Sequence, residues 1–251
     1  MNAIKTGLVS VTYRSRTKEE ITSLASDAGL QEIQWGGDIH IPHGDMDAAR
    51  EARILCSRSG IGAYSYGSYY RGTGDITDVA GVIDTASALG AQNIRIWAGT
   101  KGSADTGEDE RRVIADSIRA AADIAAAKDI SLSFEFHGGT LTDTPDSTLR
   151  LLDEIERSNV YTHWQPNQFR DVDYNLDALR RVASYVDIVH VFSWEGDKKL
   201  PLASHMDAWR RYFDVIRTHK VKCALLEFLP AETKDDLFRD AETLRELIEK
   251  V

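Results

Sequence analysis

The sequence is poor in cysteine and has no apolar run long enough to cross a membrane. Cys56 and Cys223 are the only two cysteines among 251 residues, too few for a disulfide framework or a thiolate metal site. A membrane-spanning helix needs about 20 consecutive apolar residues, and no run approaches that length. The first residues, MNAIKTGLVSVTYR, lack the charged-then-apolar layout of a signal peptide. We therefore expect buried free thiols, no membrane partner and a cytoplasmic protein.

Positive charge is also in deficit. Against 40 Asp and Glu there are 30 Lys and Arg, which gives a formal net charge of −10. Domains that bind nucleic acid usually carry a basic footprint, so this balance argues against a nucleic-acid partner. No Pro/Ser-rich linker and no shift in composition divides the chain. We expect residues 1–251 to form one domain, a length typical of one α/β barrel.

Short strand-like runs alternate with amphipathic helical runs along the whole chain. The predicted strands begin at eight positions: Gly7, Leu30, Ile61, Ala91, Ile130, Val160, Val186 and Val221. The repeat of roughly 30 residues is the size of one strand with its crossover helix. VTYRSRT follows the first strand where a doubly wound open sheet would carry a Gly-rich phosphate-binding turn. The series therefore predicts an α/β protein, a closed (β/α)8 TIM barrel.

Helix ends carry recognisable signals. Four residues are predicted N-caps because each begins a capping sequence or precedes a proline: Thr17, Thr144, Ser204 and Thr233. Three glycines stand where helices should end in a left-handed conformation: Gly29, Gly60 and Gly90.

Polar residues occur on the inward faces of four successive strands. Alternate strand residues face the interior of a barrel, and barrel chemistry collects at the carboxyl ends of strands. The inward polar residues near those ends are Glu135 and His137 on the fifth strand, His163 and Gln165 on the sixth, His190 on the seventh and Glu227 on the eighth. A single inward Glu or His is usually a satisfied structural group. Two carboxylates with an imidazole between them are better explained by a shared cation, so we predict a metal site here.

These residues resemble the xylose-isomerase-like barrel superfamily, the sugar and sugar-phosphate isomerases and epimerases that include ketose 3-epimerases. The similarity covers the whole chain, and it is carried by IQWGGDIHIPHGD from Ile33, YSYGSYYRG from Tyr64, EFHGGTLTDT from Glu135, WQPNQF from Trp164, VHVFSW from Val189 and LEF from Leu226. The resemblance implies a divalent metal held by Glu135, His190, Glu227 and a sixth-strand residue.

The sixth-strand position departs from the family pattern. The family's Asp-x-x-His is here Gln165-Pro-Asn-Gln168. Glutamine can offer a carbonyl oxygen to a hard cation but adds no charge. We predict the ligands Glu135, Gln165, His190 and Glu227, with His163 as the alternative sixth-strand ligand. The oxygen and nitrogen donors favour Mn²⁺, with Mg²⁺ or Co²⁺ as alternatives.

The resemblance also implies a reaction. Glu135 and Glu227 would be the catalytic pair, moving a proton next to a carbonyl through a metal-stabilised enediolate, in a sugar isomerase or epimerase. Two alternatives remain open: a dehydratase or lyase acting on a cyclic polyol or keto acid, and a non-catalytic sugar-binding barrel. The charge disfavours a metal-dependent endonuclease.

We expect a small sugar as the substrate. Residues near the strand ends predicted to bind it are His137, His163, Trp97, Tyr69, Arg71, Gln168 and Trp194. Trp35 and Trp164 also fall at strand ends, where aromatic faces can pack on sugar C–H groups. Arg95 should face inward, and an ion pair with Glu32 is its simplest explanation. A homodimer or a homotetramer stays open.

Overall fold

The protein is described by a computed structural model over residues 4–73 and 76–249. Its strands are β1 (Lys5–Val9), β2 (Glu32–Gly36), β3 (Gly62–Gly67), β4 (Asn93–Ile96), β5 (Ser131–Glu135), β6 (Val160–Trp164), β7 (Val186–Val191), β8 (Trp194–Glu195), β9 (Lys198–Lys199) and β10 (Cys223–Leu226). Eight of these strands close a parallel barrel in the order β1-β10-β7-β6-β5-β4-β3-β2, and β8 and β9 form a separate hairpin. The predicted (β/α)8 TIM barrel is confirmed.

One α-helix follows each barrel strand. The helices are α1 (Lys18–Asp27), α2 (Met46–Arg58), α3 (Ile76–Leu89), α4 (Glu108–Ala126), α5 (Pro145–Ile155), α6 (Val172–Val182), α7 (Met206–Ile216) and α8 (Lys234–Glu249). Across the two described stretches, none of the helices combines the length and apolarity needed to cross a membrane.

Three of the four predicted N-caps form. Thr17 and Glu20 make a reciprocal capping box at α1. Thr144, which precedes Pro145, accepts a hydrogen bond from the Ser147 amide, and Thr233 accepts one from the Asp236 amide. The three C-terminal glycines adopt left-handed backbone, with φ of +68° at Gly29, +69° at Gly60 and +82° at Gly90.

The predicted cap at Ser204 is wrong. Ser204 lies inside a 3-10 turn, Leu202–His205, and α7 begins after His205 without a side-chain cap. An N-cap residue needs extended backbone. Because the chain already turns after Pro201, Ser204 does not have that conformation.

The strands separate an apolar outer layer from a mixed interior. Leu132 and Phe134 of β5 pack in the main core between barrel and helices. A smaller apolar cluster fills part of the barrel interior, made of Val9, Val11, Ile188, Cys223 and Leu225. Fully burying a Leu or Phe side chain contributes about 1.5–3 kcal/mol, so these two layers carry most of the fold's stabilisation. Both cysteines are buried free thiols, as expected.

The predicted ion pair between Glu32 and Arg95 is wrong. Glu32 pairs with Lys5 and accepts the Tyr64 amide at 3.0 Å near the amino ends of the strands. Arg95 is in register with Gly67, which is in register with Gly36, four residues beyond Glu32 on β2. At roughly 3.3 Å per residue this offset is about 13 Å along the strand. The stagger of the barrel therefore separates the two side chains.

Candidate active site at the carboxyl ends of the strands

Four of the predicted site residues meet at the carboxyl end of the barrel. Glu135 ends β5, Gln165 follows β6, His190 lies near the end of β7, and Glu227 follows β10. Their exposed fractions are 6%, 8%, 1% and 5%, respectively. Strand alternation turns all four inward, away from the helices. Two carboxylates, an amide and an imidazole are thus enclosed in one small volume.

The four side chains form one chain of contacts. Gln165 Nε2 donates to Glu135 Oε1 at 3.3 Å. Gln165 Oε1 lies 3.4 Å from His190 Nδ1 on the other side of the amide. Glu227 Oε2 lies 3.4 Å from the same nitrogen. The carboxylates of Glu135 and Glu227 therefore stand at opposite ends of a bridge formed by Gln165 and His190.

Gln34, which the sequence analysis missed, orients the imidazole. His190 Nε2 lies 2.7 Å from Gln34 Oε1. With the amide oxygen as acceptor, Nε2 carries the proton and Nδ1 presents a lone pair. Alternation gives the signal that was overlooked: Ile33 and Trp35 pack outside the barrel, so Gln34 between them must point in.

Part of this arrangement fits a divalent cation. The lone pair of His190 Nδ1 faces Gln165 Oε1 and Glu227 Oε2. Glu227 Oε2 is buried without a hydrogen-bond partner in the described part of the chain. Three such donors facing one another are the oxygen and nitrogen set that Mn²⁺ or Mg²⁺ accepts. Gln165 is needed for this fit, because His190 and Glu227 supply only two of the three donors. Among residues 4–73 and 76–249, no group of three or more His, Cys, Asp and Glu side chains is arranged to hold a metal.

Glu135 has a second partner that the sequence analysis assigned elsewhere. Its Oε2 lies 3.1 Å from Arg95 Nη1, and Arg95 is only 4% exposed. A buried ion pair offsets the cost of burying either charge alone. Glu135 therefore faces Gln165 with one oxygen and Arg95 with the other, and its predicted role as a ligand stays a prediction.

His163 lies beside this cluster rather than in its chain of contacts. It is fully buried, its ring meets that of His190 edge-on at 5.2 Å, and Ser65 Oγ lies 3.5 Å from its Nε2. Burial, and then the nearby His190 and Arg95, hold the pKa of His163 well below its usual value. His163 is therefore a neutral imidazole, and its predicted contact with a substrate or metal is still a prediction.

Four of the predicted substrate-binding residues form one group at the mouth. Trp97 stacks on Tyr69 at 6.3 Å between centroids and meets exposed His137 edge-on at 4.9 Å. The Arg71 guanidinium lies 4.9 Å from the Trp97 ring. This group covers Arg95, whose guanidinium carbon is 4.9 Å from the Tyr69 ring and 5.0 Å from Trp97.

The two remaining predicted contacts lie on the other side of the mouth. Gln168 and Trp194 line a cavity with Trp209 between the β6–α6 loop and α7. The other two tryptophans at strand ends face the helices and not the barrel interior. Trp35 and Trp164 have no exposed surface and pack in the outer core, because each occupies an outward position of its strand.

Comparison with known proteins finds relatives that share the barrel fold. The 3-dehydroshikimate dehydratase of Bacillus anthracis is 42% identical to this chain over 67 residues, which is 27% of this chain and only 24% of that relative's length. The structure of a probable 3-DHS dehydratase, AsbF, from Bacillus anthracis superposes with a TM-score of 0.81 at 19% identity, covering 96% of this chain and 99% of that one. D-allulose 3-epimerase from Methylomonas sp. superposes with a TM-score of 0.75 at 15% identity, covering 98% and 99%. The model of the xylose isomerase-like TIM barrel family matches residues 22–199, more than half of the chain. The chain belongs to the xylose isomerase-like TIM barrel family.

Proposed function

We propose that this chain is a sugar or sugar-phosphate isomerase or epimerase that moves a proton on a carbon next to a carbonyl. The observation that carries the proposal is the pair of buried carboxylates, Glu135 and Glu227, held apart by Gln165 and His190. Two carboxyl groups that approach a carbon chain from different sides can remove a proton from one face and return one to the other. D-allulose 3-epimerase, one of the structural neighbours, has the same fold.

The remaining residues prepare the substrate for that step. Trp97 and Tyr69 offer ring faces to sugar C–H groups at the mouth. Enclosure of the carboxylates excludes water, which strengthens every charge interaction with a bound substrate. Which carboxylate is the base depends on the configuration of the substrate.

A divalent metal is part of the proposal. His190, Glu227 and Gln165 would hold it, with Glu135 as the fourth ligand. Mn²⁺ is the favoured ion, and Mg²⁺ and Co²⁺ are alternatives. When bound, such an ion would polarise substrate oxygens as a Lewis acid.

A dehydratase is the second candidate. The 42% identity over 67 residues to 3-dehydroshikimate dehydratase favours it. Its first step is the same removal of a proton next to a carbonyl, after which a hydroxyl group leaves from the neighbouring carbon. The same carboxylates would serve, with the second one protonating the leaving oxygen.

Solvent exchange tests these proposals. A panel of ketoses and ketose phosphates is incubated in D₂O with Mg²⁺ or Mn²⁺, the metal is removed, and carbon-bound deuterium is read by NMR. Deuterium next to the carbonyl with a new epimer or aldose supports the first proposal. An unsaturated product points to the dehydratase instead. Absence of exchange in metal-loaded protein for every ketose and ketose phosphate contradicts the first proposal. A Glu227→Gln preparation controls for contaminating enzymes.

A further inference from the structure

Arg95 is a buried cation with unused hydrogen-bond donors. A guanidinium has five N–H groups, and buried polar groups normally find partners. Arg95 Nη1 lies 3.1 Å from Glu135 Oε2 without the angle of a hydrogen bond, and Arg95 Nε has no hydrogen-bond partner among the described residues. Leaving buried donors unmet is costly, by about 1–3 kcal/mol each. The ion pair with Glu135 therefore leaves the Arg95 guanidinium short of hydrogen-bond acceptors.

Two neighbouring side chains also carry unused donors. Gln34 Nε2 and Trp97 Nε1 are also buried without partners among residues 4–73 and 76–249. Arg95 and Gln34 approach each other at Gly67, where a Cβ would lie 3.3 Å from both Arg95 Nη2 and Gln34 Nε2. Arg95 and Gln34 thus lie close together, the Trp97 ring is 5.0 Å from the Arg95 guanidinium carbon, and Glu135 is the acceptor beside Arg95. Such a donor excess suits a ligand group that only accepts hydrogen bonds.

We propose that Arg95, Gln34 and Trp97 form a subsite for a carboxylate of the substrate. The inference rests on the proposed function, and it narrows the substrate from sugars in general to sugar acids and other polyhydroxy carboxylic acids. A carboxylate is planar and pairs with two N–H groups of a guanidinium at once. The rings of Tyr69 and Trp97 against Arg95 exclude water from that contact.

Charge selects a carboxylate over a phosphate. Arg95 and Arg71 bring two positive charges to the Trp97 ring, and Glu135 removes one, which leaves enough to balance a monoanion.

Glu135 competes with such a ligand for the same guanidinium. A substrate carboxylate bound to Arg95 would therefore weaken the ion pair between Arg95 and Glu135. The competition also gives the subsite a signature, because removing the charge of Glu135 should strengthen anion binding, whereas removing Arg95 should abolish it.

Glycolate, a minimal hydroxy acid, serves as the probe, with ethylene glycol as its neutral counterpart. The full-length ¹⁵N-labelled chain is titrated without divalent metal, so that no ion can hold the ligand. The indole N–H signal of Trp97, assigned through Trp97→Phe, is the readout. We expect a saturable shift with glycolate, none with ethylene glycol, and weaker binding of inorganic phosphate.

The variants then act in opposite directions. Arg95→Met should weaken glycolate binding at least about tenfold, and Glu135→Gln should tighten it several-fold, as expected for a charge-assisted pair and its competitor. Lys101→Met is the matched control: Lys101 is half-exposed on the loop after β4 and pairs with Glu110, so its loss should change nothing. If Arg95→Met does not fold, Arg95→Lys decides, because it keeps the charge and loses the planar fork.

The inference is overturned if glycolate causes no saturable shift, if its affinity is unchanged in folded Arg95 variants, or if phosphate binds more tightly than glycolate. These results are separable from the test of the proposed function. Exchange into neutral ketoses without glycolate binding would overturn the subsite alone. Arg95-dependent glycolate binding without exchange into any sugar or sugar acid would overturn the proposed catalysis and leave the subsite standing.

Discussion

The imidazole of His190 on β7 reaches Gln34 on β2, with 2.7 Å between His190 Nε2 and Gln34 Oε1. In the barrel order β10 and β1 lie between these two strands, so the contact crosses part of the interior. The contact engages the Nε2 nitrogen of the imidazole and leaves Nδ1 directed at Gln165 and Glu227. Gln34 is thus a positioning residue for whatever His190 binds.

Replacing Gln34 by methionine tests this role. The change keeps the side-chain volume and removes the acceptor, so His190 loses the partner that sets its tautomer. Removing the partner of a metal-binding histidine typically lowers metal affinity by about 10–100-fold. Titration calorimetry with Mn²⁺ measures the loss, and Gln92→Met, an exposed glutamine at the other end of the barrel, is the control. Equal Mn²⁺ affinity in Gln34→Met and the parent would contradict the assignment.

Gln165→Asp should have opposite effects with and without metal. Without metal, the new carboxylate would replace the amide that donates to Glu135 Oε1 at 3.3 Å, so like charges would meet and the melting temperature should fall. With Mn²⁺ or Mg²⁺ the added charge should raise affinity by about tenfold or more, because hard cations favour carboxylate oxygens. The rise in melting temperature on adding metal should then exceed that of the parent. Weaker metal binding in a folded Gln165→Asp protein would remove Gln165 from the proposed ligands.

If Glu135 and Glu227 are base and acid, replacing each of them by Gln should affect the reaction in a different way. Glu→Gln at the base should nearly abolish exchange of the substrate proton with solvent. The same change at the acid should let exchange persist while product formation falls, each loss being about 10²–10⁴-fold. Both residues are also proposed ligands, so the metal content of each variant has to be measured before rates are compared. Near-normal turnover by metal-loaded Glu135→Gln and Glu227→Gln would contradict the acid–base assignment.

The local pattern of the sequence predicts which way a strand residue points, and that was enough to bring four residues together. The period of two along a strand is fixed by backbone geometry, so Glu135, His190 and Glu227 could be assigned to the interior without a structure. The same parity argues that Trp35 and Trp164 face the helices, although their position at strand ends suggested the mouth.

Contacts across the barrel were not predictable in this way. Whether Arg95 meets Glu32 or Glu135 depends on the stagger between neighbouring strands, which no local pattern encodes. The contact between Gln34 and His190 likewise depends on the diameter of the closed barrel. These two contacts define the donors and acceptors of the site, so the structure was needed for the chemistry, though not for the fold.

Asp187 offers a test at the opposite end of the barrel from the site. Burial raises the pKa of this carboxyl to about 6, from an ordinary 3.8, although the Tyr64 hydroxyl donates to it at 3.1 Å and Lys222 lies nearby. The folded state therefore binds the proton more tightly than the unfolded state does. Its contribution to stability is complete below pH 4 and is lost as the pH rises through about 6.

Asp187→Asn should remove that pH dependence. The loss in the parent corresponds to about 3 kcal/mol, at 1.36 kcal/mol for each pKa unit between the two states. The amide stays neutral and can still accept from Tyr64 and Asn93, so the variant should match the parent near pH 4 and unfold at higher urea concentration at pH 8. Urea unfolding at both pH values measures the difference, with Asp84→Asn, an exposed carboxylate paired with Lys128, as the control. A variant that is less stable than the parent by the same amount at pH 4 and pH 8 would show that Asp187 is ionised throughout, and that its bonds to Tyr64 and Asn93 outweigh the cost of burying the charge.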